Sequence, residues 1–157
     1  MNINEIYDEI GRLLWSIMPN GASKIIYDCM IYSSFEQGGA YWLDRDFNEK
    51  YFDEPYLEVY EKISVLIRDL RKQSFFKGNY PNHFRFSLSE KGRFDIKFAY
   101  IEEEDSWSNL YLRGISDLKE EELDEYYIPK EIWLDRVARK DEIYQIKKDI
   151  ESKCKKY

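Results

Sequence analysis

The chain is expected to fold as an α+β domain, an antiparallel four-strand meander with helices packed on one face. Three observations predict it. Apolar residues recur at spacings of three and four over Ile3 to Met18 and Pro55 to Gln73, the period of an amphipathic helix. Strand-like runs alternate with period two, most clearly His83 to Leu88 and Arg93 to Phe98 around Ser89-Glu90-Lys91-Gly92. Finally, antiparallel pairs of strands separated by helices are the pattern of α+β rather than α/β proteins. The predicted order is α-β-β-α-β-β, an acidic segment, then α.

In the first helix Ile3, Ile6, Tyr7, Ile10, Leu13, Leu14 and Ile17 share a face, Asn2 is placed to cap it, and Pro19-Asn20-Gly21 ends it. Lys24 to Tyr32 reads as a strand, with Ile25, Tyr27, Cys29 and Ile31 on one face and Ile26, Asp28, Met30 and Tyr32 on the other. Gln37-Gly38-Gly39 reads as the turn, and Ala40 to Leu43 as the returning strand. Asp44 to Pro55 reads as a loop with room for a short strand. The second helix has Leu57, Tyr60, Ile63, Leu66, Ile67 and Leu70 as its stripe and stops at Gly78-Asn79-Tyr80-Pro81.

In the hairpin, Phe84, Phe86 and Leu88 share a face with Phe94, Ile96 and Phe98. The other face, carrying His83, Arg85, Ser87, Arg93, Asp95 and Lys97, is expected to be wet. Pro129 to about Cys154 reads as one last helix, its terminus rich in lysine (Lys153, Lys155, Lys156) as the helix dipole favours.

At 157 residues, 43% apolar and 17% aromatic, the chain has the length of one domain and too many aromatic residues for a disordered one. Residues 1–157 are read as a single domain: a body over 3–104, an acidic segment over 102–125 and a terminal helix over 129–154. No apolar run approaches the roughly 18 residues of a membrane helix, and the N-terminus lacks the basic and apolar regions of a secretory signal. With two cysteines in unlike settings, the expectation is a cytoplasmic protein without a disulfide and with no membrane partner.

The charge is not spread evenly. Between Glu102 and Glu125 stand ten acids (Glu102, Glu103, Glu104, Asp105, Asp117, Glu120, Glu121, Glu122, Asp124 and Glu125) against Arg113 and Lys119, a net of −8. The other 21 acids and 22 bases leave +1, so the chain's −7 is a local property. Like charges at this density repel, and a basic partner surface is one reason to keep them; a solvated loop is the other. An acidic chain also lacks the footprint for direct nucleic-acid binding.

Catalytic chemistry finds little support. His83 is the only histidine, with no cysteine or carboxylate at ligand spacing. Cys29 has no nearby base to lower its pKa and reads as a small buried hydrophobe. Glu102, Glu103 and Glu104 lack the alternating ligands and glycine of a cation loop. Neither a phosphate-binding glycine loop nor a nucleophile motif occurs, so no catalytic residue, metal or cofactor is expected. What remains is the acidic segment itself. Trp107 and Tyr111, ringed by one sign of charge, have the composition of a protein interface. The same Trp107, with Leu110 and Leu112, equally suits docking the segment on the core.

The succession of segments resembles the YezG-like immunity proteins, the EsaG-type antitoxins. Three places carry the likeness: Ile6 to Ile10 through Ser16-Ile17-Met18-Pro19 into Lys24-Ile25-Ile26-Tyr27; the helix ending Ile67-Arg68-Asp69-Leu70-Arg71; and the hairpin Phe84 to Tyr100. The likeness spans roughly 3–104 and lies in the order and spacing of the segments. Beyond Asp105 the chain departs from it, with an acidic segment and a long basic helix in place of a short tail.

The resemblance implies an immunity protein of contact-dependent competition. Such a protein binds a secreted polymorphic toxin domain and neutralises it by stoichiometric occlusion, without catalytic residues of its own. Toxin domains of this kind are often nucleases, basic because they must hold phosphates, which an acidic inhibitor complements. The expected partner is therefore a cognate toxin domain, met through the acidic segment. The alternatives are an adaptor for another basic protein and, from a different class, a small hydrolase using the acids with a metal.

Overall fold

The computed structural model describes residues 1–73 and 80–154. α1 (Ile3–Ser16) begins with a reciprocal cap: the Asn2 side chain accepts from the Glu5 N–H and the Glu5 carboxylate accepts from the Asn2 N–H, both at 2.9 Å. β1 (Ala22–Ile31), β2 (Glu36–Asp44) and β3 (Glu49–Lys50) follow, then α2 (Leu57–Arg71), β4 (His83–Ser89) and β5 (Phe94–Ala99). The chain ends its described course in α3 (Lys130–Ala138) and α4 (Lys140–Cys154).

The architecture is α+β with one antiparallel five-stranded sheet, in the order β3-β2-β1-β4-β5. This corrects the expected four-strand meander in two ways. A short fifth strand, β3, adds to the edge of β2. The second hairpin docks not on β2 but on the opposite edge of β1, with Tyr27 opposite Phe86 and Asp28 opposite Arg85. The reason is that β1 is apolar on both faces, so the lowest-energy place for it is the centre of the sheet; α2 carries the chain across to its free edge. The hairpin register itself, Phe84 opposite Phe98 and Phe86 opposite Ile96, follows the alternation in the sequence.

The main core lies between the sheet and the two N-terminal helices. Ile6, Ile10 and Leu14 of α1 and Ile63, Ile67 and Leu70 of α2 are fully buried against Ile25, Tyr27 and Cys29 of β1 and Phe84 and Phe86 of β4. At about 25 cal/mol per Å² of apolar surface, this layer is the main source of stability.

Three local expectations are also corrected. Gln37, Gly38 and Gly39 lie inside β2, and the turn sits earlier, where the Tyr32 N–H donates to the Phe35 carbonyl at 2.9 Å. Gly38 serves packing instead: a Cβ there would overlap the Tyr27 hydroxyl. The single C-terminal helix is two, broken at Arg139, whose guanidinium reaches back to Glu104 at 2.6 Å. The Gly78-Asn79 stop signal and Lys155 and Lys156 lie outside the described residues.

The third correction bears on function. The face read as wet is covered over β1 and the start of β4, while Arg93, Asp95 and Lys97 remain exposed as expected. His83 is fully buried, and Ile26, Asp28 and Met30 on the same face are each less than 10% exposed. The chain after β5 folds over them. The Asn82 side chain pins its start, donating to the Ile101 carbonyl at 2.8 Å and accepting from the Ile101 N–H at 2.9 Å. The sheet is thus the middle layer of three, with α1 and α2 on one side and the acidic segment with α3 on the other, so the expected packing of helices on one face holds only for α1 and α2.

Candidate partner-binding surface

The acidic segment has its own small core. Leu110, Ile115, Leu118, Leu123 and Ile128 are buried together, with Trp107, Tyr126, Ile132 and Trp133 packed around them. The apolar island between the acidic blocks therefore folds inward, and most of the flanking carboxylates are left exposed. Backbone polarity is met by short 3-10 turns at Glu103–Asp105, Ile115–Asp117 and Glu120–Glu122. α3 closes the cluster, the Trp133 indole N–H donating to the Leu118 carbonyl at 3.0 Å.

Several acids are internal fasteners. Asp105 is fully buried and accepts from both the N–H and the hydroxyl of Ser116, at 2.9 and 2.8 Å. Gly114 lets that carboxylate approach, since a Cβ there would collide with it. Glu122 accepts two hydrogen bonds from the Arg113 guanidinium, at 2.9 and 3.2 Å, and one from the Lys119 N–H at 3.1 Å. The Arg113 hydrogen bonds, then the Lys119 N–H, hold the Glu122 carboxyl down at about 2. Glu104 pairs with Arg139, and Glu120 with Lys130 at 2.9 Å, so two bases of the terminal helices offset part of the segment's charge. Glu102 accepts from the Tyr100 hydroxyl and Glu103 from the Ser34 hydroxyl, each at 3.2 Å.

The two aromatic residues expected to anchor a partner are engaged within the fold. Trp107 packs on the small core. Tyr111 lies on the sheet, its ring edge-on to His83 at 5.9 Å and under the Arg85 guanidinium at 5.6 Å. Burial, then the nearby Asp28 charge, raises the Tyr111 phenol well above its usual value. His83 in turn is hydrogen-bonded through Nε2 to the Tyr32 hydroxyl at 2.6 Å, and burial pushes that phenol up to about 12.

Asp117, Glu121, Asp124 and Glu125 face solvent with Glu103, Glu104 and Glu120. Next to them stands a residue that sequence reasoning missed. Tyr127 is 84% exposed and has φ 56°, a left-handed backbone that bulky residues avoid. The region costs a non-glycine residue about 1–2 kcal/mol. A tyrosine held there presents an aromatic ring to water close in the chain to the exposed Asp124 and Glu125. Its only sequence signal was adjacency, since it falls two residues past the end of the acidic block. Leu134 and Val137 of α3, 50% and 36% exposed, extend the apolar surface nearby in the chain.

Among the described residues no group of three or more His, Cys, Asp or Glu side chains could hold a metal ion. Cys29 is buried, and burial pushes its thiol up to about 12, so it stays protonated. No described helix is long and apolar enough to cross a membrane. Compared with protein-family models and with curated proteins, the chain matches none.

Proposed function

We propose that the protein is an immunity protein, an antitoxin that binds a basic toxin domain and neutralises it by occlusion. The observation that carries this reading is the acidic cap: a folded, internally fastened unit that leaves seven carboxylates of the segment exposed, with the exposed Tyr127 two residues beyond the last of them. Ordering the acids in advance reduces the entropy lost on binding, and their field steers a basic partner. Tyrosine supplies contact area at low entropic cost. The resemblance over 3–104 supports the role, and the departure after Asp105 supports a reading in which the cap selects the partner.

The test is whether a toxin domain is encoded beside this gene and binds this chain, with association measured at several salt concentrations. Reversing Glu121, Asp124 and Glu125 to lysine should slow association and flatten its salt dependence. Glu120 and Glu122 are poorer sites, because Lys130 and Arg113 depend on them. Unchanged kinetics at low salt would remove the cap from the interface. Capture of a basic protein with no toxic activity would instead favour the adaptor.

A further inference from the structure

β5 ends the sheet, and among the described residues no strand pairs with its outer edge. The Ser89 N–H donates to the Arg93 carbonyl at 2.9 Å. Backbone groups alternate sides along a strand, so Asp95 and Lys97 also turn their N–H and C=O groups toward β4. Phe94, Ile96 and Phe98 turn theirs outward. Such an edge is a template for another strand, and natural edges are commonly guarded by a charge. Here the guard has a complement: about Ile96, Asp95 and Lys97 stand one residue to either side, and Phe94 and Phe98 two.

We propose that β5 pairs antiparallel with β5 of a second copy of this chain across a two-fold axis at Ile96. Asp95 of each copy then faces Lys97 of the other, and Phe94 faces Phe98. Within one copy Lys97 stands opposite Arg85 and Asp95 opposite Ser87, so neither exposed charge is answered across β4. Neighbouring registers fail on charge. An axis at Asp95 sets that acid against itself and Lys97 against Arg93; an axis at Lys97 sets two lysines together. Like charges directly opposite are destabilising, so of these three registers only the axis at Ile96 sets opposite charges together, and it also pairs the whole of Phe94 to Phe98.

The contact is isologous and closed, joining two five-stranded sheets into one. A two-fold relating antiparallel edge strands runs perpendicular to the sheet. Both helix layers therefore stay on one side and both acidic caps on the other, presenting two caps in the same direction.

The experiment is sedimentation velocity of the full chain over a wide concentration range. It uses the unaltered protein, Asp95→Lys, Lys97→Asp, and the double exchange Asp95→Lys/Lys97→Asp, with circular dichroism confirming that each is folded. The expected result is a dimer for the unaltered chain, a dimer Kd raised about tenfold or more by either single reversal, and recovery in the double exchange. An unaltered chain that stays monomeric overturns the proposal. So do single reversals that dimerise normally, or a folded double exchange that stays monomeric.

Discussion

Arg85 and Asp28 stand directly opposite each other on β4 and β1, and the guanidinium grips both carboxylate oxygens, Nε to Oδ1 at 2.6 Å and Nη2 to Oδ2 at 2.8 Å. The Asp28 side chain is 10% exposed and that of Arg85 34%. Hydrogen bonding to Asp28 raises the Arg85 guanidinium above its ordinary value. The pair joins the central strands on the face that the acidic cap covers, and Tyr111 of the cap lies on the guanidinium. Arg85→Ala should cost about 2–3 kcal/mol, somewhat below the roughly 3–5 of a fully buried pair, because Arg85 keeps some solvent. Urea unfolding of Asp28→Asn, Arg85→Ala and the double variant checks it. Additive losses across that cycle would show that the pair is not coupled.

Gly38 and Tyr27 provide a packing test. Gly38→Ala pushes a methyl group against the Tyr27 ring and hydroxyl and should destabilise the fold by about 1–3 kcal/mol. Tyr27→Phe removes the nearest atom, so adding it to Gly38→Ala should recover part of the loss. A thermal melt in which Gly38→Ala matches the parent rejects this account of the glycine.

Glu122 makes the cap sensitive to acid. Its carboxyl is lowered from the usual 4.5 to about 2 in the folded state, so it binds protons more weakly there than in the unfolded chain. Its contribution is therefore complete above about pH 4.5 and is lost as pH falls from there through about 2. The Lys119 amide, which donates to Glu122, should report the loss by NMR in that window. Glu122→Gln should abolish that part of the pH dependence, and an unchanged titration of the Lys119 amide in this variant would assign the effect to another group.

Tyr127 separates stability from binding. Tyr127→Gly relieves the left-handed backbone at a side chain that is 84% exposed, and should raise stability by about 0.5–1 kcal/mol. The same change should weaken association with the partner by about tenfold or more, the loss typical of an aromatic contact worth over about 1.4 kcal/mol. A variant both more stable and fully binding would take Tyr127 out of the interface.

Much of the fold was legible in the chain, because periodicity is a local property. Helices α1 and α2, the Phe84–Phe98 hairpin and the two faces of β1 all follow from spacing. The acidic block was equally visible, since it needs only a count of charges. Less legible was what each charge does. Asp105 and Glu121 belong to the same block, yet one is buried on Ser116 and the other faces water. Residue type does not reveal which acid finds a donor.

By itself the sequence determined an α+β chain with an aromatic core, a near-neutral body and one acidic segment. Strand order, the covering of the second face of β1 and which aromatic residue of the acidic segment's surroundings stays exposed were decided only in three dimensions. Each depends on contacts between residues far apart in the chain: β4 choosing β1 over β2, Tyr111 settling on His83 and Arg85, and Asp105 capturing Ser116. Alternation says that a strand has two faces, but it cannot say that a later segment will return to bury the polar one. That return turned Trp107 and Tyr111 inward and left Tyr127 facing solvent.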